Sequence, residues 1–132
     1  MIEPVKMDDG NWILPGSIVG KGNPAAVAIS VGDDLGKWRA VIIPRDAGVK
    51  SMWGESSIIV DGPRITNIAR YGGKALALAA MSKDYGRTWT PSSESNLPMA
   101  TSKPCSGVLS NGQRYLICST TADGGARHSP LP

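Results

Sequence analysis

Apolar residues in this chain fall in short runs, Val27 to Val31, Ala75 to Met81 and Tyr115 to Thr120 among them, each with a Gly, Asp, Asn or Pro close to either end. Runs of this length with turn residues at both ends predict β-strands rather than helices. Three glycine turns, Asp9-Gly10, Asp61-Gly62 and Asn111-Gly112, each sit between two apolar stretches and have the chemistry of a two-residue hairpin loop. Their spacing is about fifty residues, and Trp38 and Trp89 repeat at the same interval. The predicted unit is therefore strand, Gly turn, strand, loop, strand, polar turn, strand. Units fall at about residues 1–50, 51–100 and 101–132, the last incomplete, with Trp38 to Pro44 as the fourth strand of the first.

A four-stranded antiparallel unit of this period cannot bury both faces alone and stacks on its neighbours as a blade of a β-propeller. The chain holds about two and a half such units, and a ring needs at least about four. The expected architecture is all-β, a partial propeller whose remaining blades lie outside this chain. Assembly of several copies into a ring is the alternative.

Composition agrees. The 16 Gly and 10 Pro are spread along the chain as turn residues of a many-stranded fold, and 41% hydrophobic with 19% charged residues is ordinary for a globular domain. The net charge of +3 comes without a basic run of the kind that binds nucleic acid, and suits an acidic ligand. No apolar stretch approaches the roughly 18 residues of a membrane span, and the N-terminus lacks a signal-peptide layout. Cys105 and Cys118 are the only cysteines, with no second pair or His cluster at metal-ligand spacing, so neither a metal nor another cofactor is expected. The two thiols can pair across adjacent strands or stay free; both readings stand.

The most specific stretch is Ser82 to Trp89, of the form S-x-D-x-G-x-T-W. Ser82 and Asp84 can accept backbone N–H bonds inside a turn, Gly86 can take a positive φ, and Trp89 can lie back on the sheet. A degenerate copy survives as Asp34-x-Gly36-x-Trp38. The pattern resembles the Asp box of the sialidase (neuraminidase) and BNR-repeat superfamily. Kelch repeats share the period, and the Asp-box turn is what favours the sialidase type. The resemblance covers nearly the whole chain and implies middle blades of a six-bladed propeller.

In the second unit Glu55 enters the first strand and Arg70 ends the second, and the Asp61-Gly62 turn brings them to one open end. Read alone, they form either a cross-strand ion pair worth about 0.2 to 1 kcal/mol or part of a site. The family resemblance implies the site. In W-x-E-S-x-x-x-x-D-G and I-A-R they stand where sialidases carry a glutamate that activates a tyrosine nucleophile and one of three arginines that grip the sugar carboxylate. A neutral phenol avoids repulsion by that carboxylate but, with an ordinary pKa of about 10, needs a base. Retaining hydrolysis through tyrosine is a known exception to the two-carboxylate scheme. Arg127, in Ala126 to Leu131, resembles the family's R-x-x-x-L stretch and is the candidate for another arginine of the triad.

The remaining candidates read as structural. His128 has no recognisable partner, Trp12 and Trp53 are expected to pack between blades, and Arg45, Lys50, Arg64 and Arg114 are expected to be solvated. No residue matches the family's first arginine, its aspartate acid/base or its tyrosine nucleophile; Tyr71, Tyr85 and Tyr115 stand in other contexts. The chain alone is thus expected to be inactive. Its parent would cleave terminal sialic acid or a related 2-keto acid sugar from glycans, or, as a non-catalytic propeller, bind glycans or proteins. The resemblance suits secretion or a periplasmic location, and the residues leave the compartment open.

Overall fold

The computed structural model describes residues 3–20, 22–49 and 52–119, with the backbone alone at 52–54. All named elements are strands. β1 (Val5–Lys6), β2 (Trp12–Ser17), β3 (Ala25–Val31) and β4 (Asp34–Ile42) form one antiparallel sheet in chain order. A second sheet repeats the order with β5 (Met52–Asp61), β6 (Arg64–Tyr71), β7 (Leu76–Ser82) and β8 (Ser93–Pro98). β9 (Cys105–Val108) and β10 (Arg114–Ile117) pair as a third. The three glycine turns join the first and second strand of each sheet, and Gly10, Gly62 and Gly112 all have positive φ, at 92°, 58° and 86°. This is the all-β, blade-by-blade arrangement of part of a propeller.

Period-two alternation decides what faces what. Ile13, Val27 and Ile29 of the first sheet meet Ile58, Ile65 and Leu78 of the second in one core. Ile68, Ala77 and Met99 form another, with Leu116 and Cys118 of the third sheet against it. The second sheet is thus covered on both faces, which explains why β6 and β7 are almost continuously buried while β4, at an outer edge, is exposed along its length. The same alternation corrects the expectation for Trp12. It sits opposite Lys6, one residue before the inward Ile13, so it faces away from the second sheet. There Lys6 lies over its ring at 5.3 Å and its indole N–H donates to Asp33 at 3.0 Å. The side chain of Trp53 lies outside the described part.

The fourth strand of the first sheet begins at Asp34 rather than Trp38. A tight turn at Gly32-Asp33 starts it early, and the extra residues are absorbed as an irregularity where Ser30 pairs with Trp38 but Val31 with Asp34. Cys105 pairs with Ile117 in register, so Cys118, the next residue, projects from the opposite face and the two thiols stay free. Arg114 is not merely solvated. Its Nε donates to the Val60 carbonyl at 2.7 Å and its Nη2 reaches Asp61 at 3.1 Å, tying the third sheet to the second. Arg45 and Arg64 are exposed, as expected, although Arg45 also donates to the Gly22 carbonyl at 3.4 Å. Lys50 lies outside the described residues.

The first two sheets meet at Gly86. Its φ is 86°, and a Cβ there would stand 2.8 Å from Cδ1 of Ile13, a side chain with no room to retreat at 0% exposure. Gly10 has a comparable φ of 92° but open space around it. Gly86→Ala is therefore expected to cost about 2 to 5 kcal/mol, left-handed strain plus overpacking. Gly10→Ala should cost only the strain, about 1 to 2 kcal/mol. Urea unfolding of the two variants side by side checks this, and equal losses would show that contact with Ile13 is irrelevant.

Candidate functional site

The Ser82–Trp89 stretch connects β7 to β8 and folds as a closed hydrogen-bonded turn. Asp84 Oδ1 accepts from the Thr88 backbone N–H at 2.9 Å and from the Ser82 hydroxyl at 2.8 Å, while Oδ2 accepts from the Thr88 hydroxyl at 2.6 Å. Ser82 Oγ in turn accepts from the backbone N–H of Gly86 at 2.9 Å, and the Trp89 indole donates to the Gly86 carbonyl at 2.7 Å. The Thr88 hydroxyl first, then the Thr88 amide, the Ser82 hydroxyl and the Arg87 amide, hold the Asp84 carboxyl down from 3.8 to about 2, against a smaller opposing effect of burial. Two bonds leave the turn. Arg87 Nη2 reaches Asp9 Oδ2 in the first sheet at 3.1 Å, and Tyr85 N–H donates to the Pro63 carbonyl at 3.0 Å.

That last bond places the turn beside the β5–β6 hairpin loop. Glu55 and Arg70 stand at the far end of the same hairpin. With Ser56 paired to Ala69, the preceding and following residues face each other, and Arg70 Nη1 meets Glu55 Oε2 at 2.5 Å. The arginine side chain is 18% exposed and the glutamate 43%, so the pair sits at the rim with the cation in the wall and the anion outward. Both are on the Ile68 and Ser57 face of the sheet, toward β9 and β10. The expectation that the hairpin joins an acid to a base at one end is met. Arg127 and His128 lie outside the described residues.

A second polar cluster at this end was not anticipated. Tyr71, 5% exposed, donates from its hydroxyl to Glu94 Oε1 at 3.3 Å, and Lys74 Nζ lies 2.9 Å from Glu94 Oε2. Glu94, by hydrogen bond and charge, holds Lys74 above its ordinary value of 10.5. Its only sequence signal was an isolated Glu94 in a Ser-rich stretch, and its position depends on how the long turn resets β8. Among the described residues no group of three or more His, Cys, Asp or Glu converges as a metal site, and no helix is long and apolar enough to cross a membrane. A cleft of about 620 Å³ opens beside the Glu55–Arg70 pair, lined by Ser56 and Ser57 but by neither member of the pair.

Successive four-stranded antiparallel sheets stacked face to face define the class: blades of a β-propeller. The sequence pattern of the BNR repeat-like domain matches residues 2–130, and the chain belongs to that family. Its structure is similar to NanB with Optactamide, with a TM-score of 0.57 and 15% identity over 89% of this chain and 19% of that one. It is also similar to the NanB sialidase from Streptococcus pneumoniae in complex with 2-[(3-chlorobenzyl)ammonio]ethanesulfonate, at TM-score 0.55 and 14% identity over 92% of this chain and 21% of that one. The chain thus spans about a fifth of the solved structures it matches. At such identity the likeness establishes the sialidase-like fold. A comparison with curated proteins gives no match.

The depressed Asp84 carboxyl makes the turn a pH-dependent element. Because the folded value lies below the unfolded one, the unfolded chain binds more protons between them. The stabilisation is complete above pH 3.8 and is lost as the pH falls through about 2. Asp84→Asn is expected to cost about 1 to 3 kcal/mol at neutral pH. Wild type and variant should then converge between about pH 4 and pH 2. Chemical unfolding across that range tests it, and a constant gap would assign the stability to packing.

Proposed function

We propose that the chain is part of a sialidase-like exo-glycoside hydrolase that removes terminal sialic acid, or a related 2-keto acid sugar, from glycans. The single observation that carries this reading is the placement of Glu55 against Arg70 at one rim of the hairpin. Family membership and the sialidase-like fold support it. In this reading Ser82–Trp89 is a structural Asp box at the opposite end, units 1–50, 51–100 and 101–132 are blades of one propeller, and the remaining blades complete the site.

A guanidinium offers two parallel donors to a carboxylate, and Arg70 supplies them to the carboxylate on the anomeric carbon, with Arg127 as a second clamp. Glu55 now occupies Arg70, so the incoming substrate carboxylate takes its place. The released Glu55 accepts the phenolic proton of a tyrosine contributed by another part of the parent protein. The phenolate oxygen bonds to the anomeric carbon as the glycosidic bond breaks, the leaving oxygen takes a proton from an acid outside this chain, and water then cleaves the glycosyl-tyrosine. A second reading, a non-catalytic propeller that binds glycans or proteins, is favoured by the same ion pair, in which the glutamate already contacts the arginine.

Full-length parent protein assayed on an aryl sialoside separates the two. Glu55→Gln is expected to lower turnover by about 10² to 10⁴ with little change in sialic-acid binding. Arg70→Lys is expected to weaken a sialic-acid analogue about tenfold or more by loss of the two-donor geometry. A parent without turnover that still binds sialylated glycan would establish the binding module, and unchanged turnover in Glu55→Gln would remove Glu55 from the mechanism.

A further inference from the structure

The glycine turns of the first and third sheets are the same turn with one chemical difference. In the first, the Gly10 N–H donates to the Met7 carbonyl at 3.1 Å and the Met7 N–H to the Asn11 carbonyl at 2.8 Å. In the third, the Gly112 N–H donates to the Leu109 carbonyl at 2.9 Å and the Leu109 N–H to the Gln113 carbonyl at 2.8 Å. Both are hairpin loops closed by a left-handed glycine. The side chain before that glycine takes the N–H two residues on, Asp9 Oδ1 from Asn11 and Asn111 Oδ1 from Gln113, each at 3.0 Å. The first turn thus carries a carboxylate where the third carries a carboxamide.

That difference decides which turn can react with itself. With no Cβ on the following glycine, the amide nitrogen after Asn111 is open to approach its side-chain carbon. The Gly112 nitrogen gives its proton to hydroxide and bonds to Cγ of Asn111, and the side-chain nitrogen leaves as ammonia with a proton from water. A cyclic imide remains. Water then breaks one or the other of its carbonyl–nitrogen bonds, giving isoaspartate or aspartate, with nothing oxidised or reduced. A carboxylate, negative at neutral pH, repels the attacking nitrogen, so Asp9-Gly10 and Asp61-Gly62 resist the same step. Each is also engaged elsewhere, Asp9 with Arg87 and Asp61 with Arg114, both at 3.1 Å.

The third turn arranges Asn111 for the reaction. Its bond to the Gln113 N–H spans Gly112, so the carboxamide is held back over the Gly112 peptide. A main-chain N–H can only donate, which fixes the oxygen on that side and the Nδ2 group toward Gln113 Oε1 at 3.0 Å. The same N–H then faces the oxygen on which negative charge gathers as the nitrogen attacks. One bond opposes the step, because the Gly112 N–H must leave the Leu109 carbonyl first. Leu109 to Arg114 are all exposed, a Cβ on Gly112 would meet nothing within 4 Å, and the strands beneath are four residues each. Opening of such a tip is local.

We infer that Asn111 is a self-modification site, converting through a cyclic imide to aspartate and isoaspartate, and that the isoaspartyl form releases the third sheet from the second. Aspartate fits the turn, as Asp9 does in the first sheet. Isoaspartate routes the main chain through the side chain, adds a carbon to the loop and displaces the oxygen that receives the Gln113 N–H. The next residue is Arg114, whose bonds to Val60 and Asp61 tie the two sheets together. The inference is independent of the role of Glu55 and holds for a hydrolase and a binding module alike.

The test is incubation of the unmodified chain at mildly alkaline pH in ¹⁸O-enriched water, followed by peptide mass spectrometry. The Asn111 peptide is expected to lose ammonia, to carry ¹⁸O in its new carboxylate and to become a substrate for an isoaspartyl O-methyltransferase, at a rate rising in proportion to hydroxide. Asn11, Asn23, Asn67 and Asn96 are followed by Trp, Pro, Ile and Leu and are expected to stay intact. In amide exchange, the separated isoaspartyl form should lose protection at Arg114 to Ile117 with β6 and β7 still protected. Asn111→Asp should keep that protection, and Asn111→Gln should neither convert nor lose it. An Asn111 still intact when a free peptide of residues 109–114 has converted would overturn the modification, since the Leu109 bond would then shield the nitrogen. Equal conversion at Asn11 or Asn96 would overturn the selection by this turn, and native exchange in the isoaspartyl form would overturn the release.

Discussion

One carboxylate holds the junction on which the first two sheets depend. Asp84 collects two bonds from Thr88 and one from Ser82, and this closure carries the Gly86 backbone into the space between Ile13, Ile29 and Ile65. A polar turn thereby becomes part of an apolar interface. Only a residue without a side chain can occupy that point, and only a turn whose donors are satisfied internally can be pressed there without stranding buried N–H groups. Trp89 then bonds back to Gly86, and Thr90 bonds twice to Met81, which restarts the chain toward β8. The packing of the sheets and the register of the outer strand both follow from those bonds.

The comparison with the first sheet shows how much the missing side chains matter. There Asp34 still accepts from the Gly36 N–H at 3.0 Å and the Trp38 indole still bonds three residues back, to the Leu35 carbonyl at 2.6 Å, as Trp89 does to Gly86. No Thr88 counterpart exists, and Asp34 closes nothing larger than this local loop. The chain instead turns early at Gly32, and the remnant is carried on the exposed outer strand. Two relics of the hydrogen-bond pattern persist without the insertion between sheets that gives the intact turn its purpose.

This difference also explains what could be read from residues alone. The three glycine turns and the joining of Glu55 to Arg70 were legible because hairpin geometry is local: the turn sets the register, and register sets which ends meet. The start of β4 was misplaced because a degenerate motif does not announce which turn replaces it. Trp12 was misassigned because one position along a strand reverses the face, and only the inward Ile13 reveals which face is covered. Arg114 and the Tyr71–Glu94–Lys74 cluster were out of reach for another reason. Their partners come from other sheets or from beyond a long turn, and no spacing rule predicts such contacts.

The hairpin of β5 and β6 separates two demands by its length. At the turn end, buried isoleucines and the Asp84 bonds favour rigidity, and any freedom there would loosen the contact with the first sheet. At the open end the strand pairing is irregular between Met52 and Ser56, and the side chains become charged and half-exposed. There the arginine lies in the wall and the glutamate outward, so the ionic contact is made at the edge of the sheet and not in its core. The conspicuous Ser82–Trp89 motif marks where the blade is held together, and the less distinctive residues at the opposite end are those on which the proposed function rests.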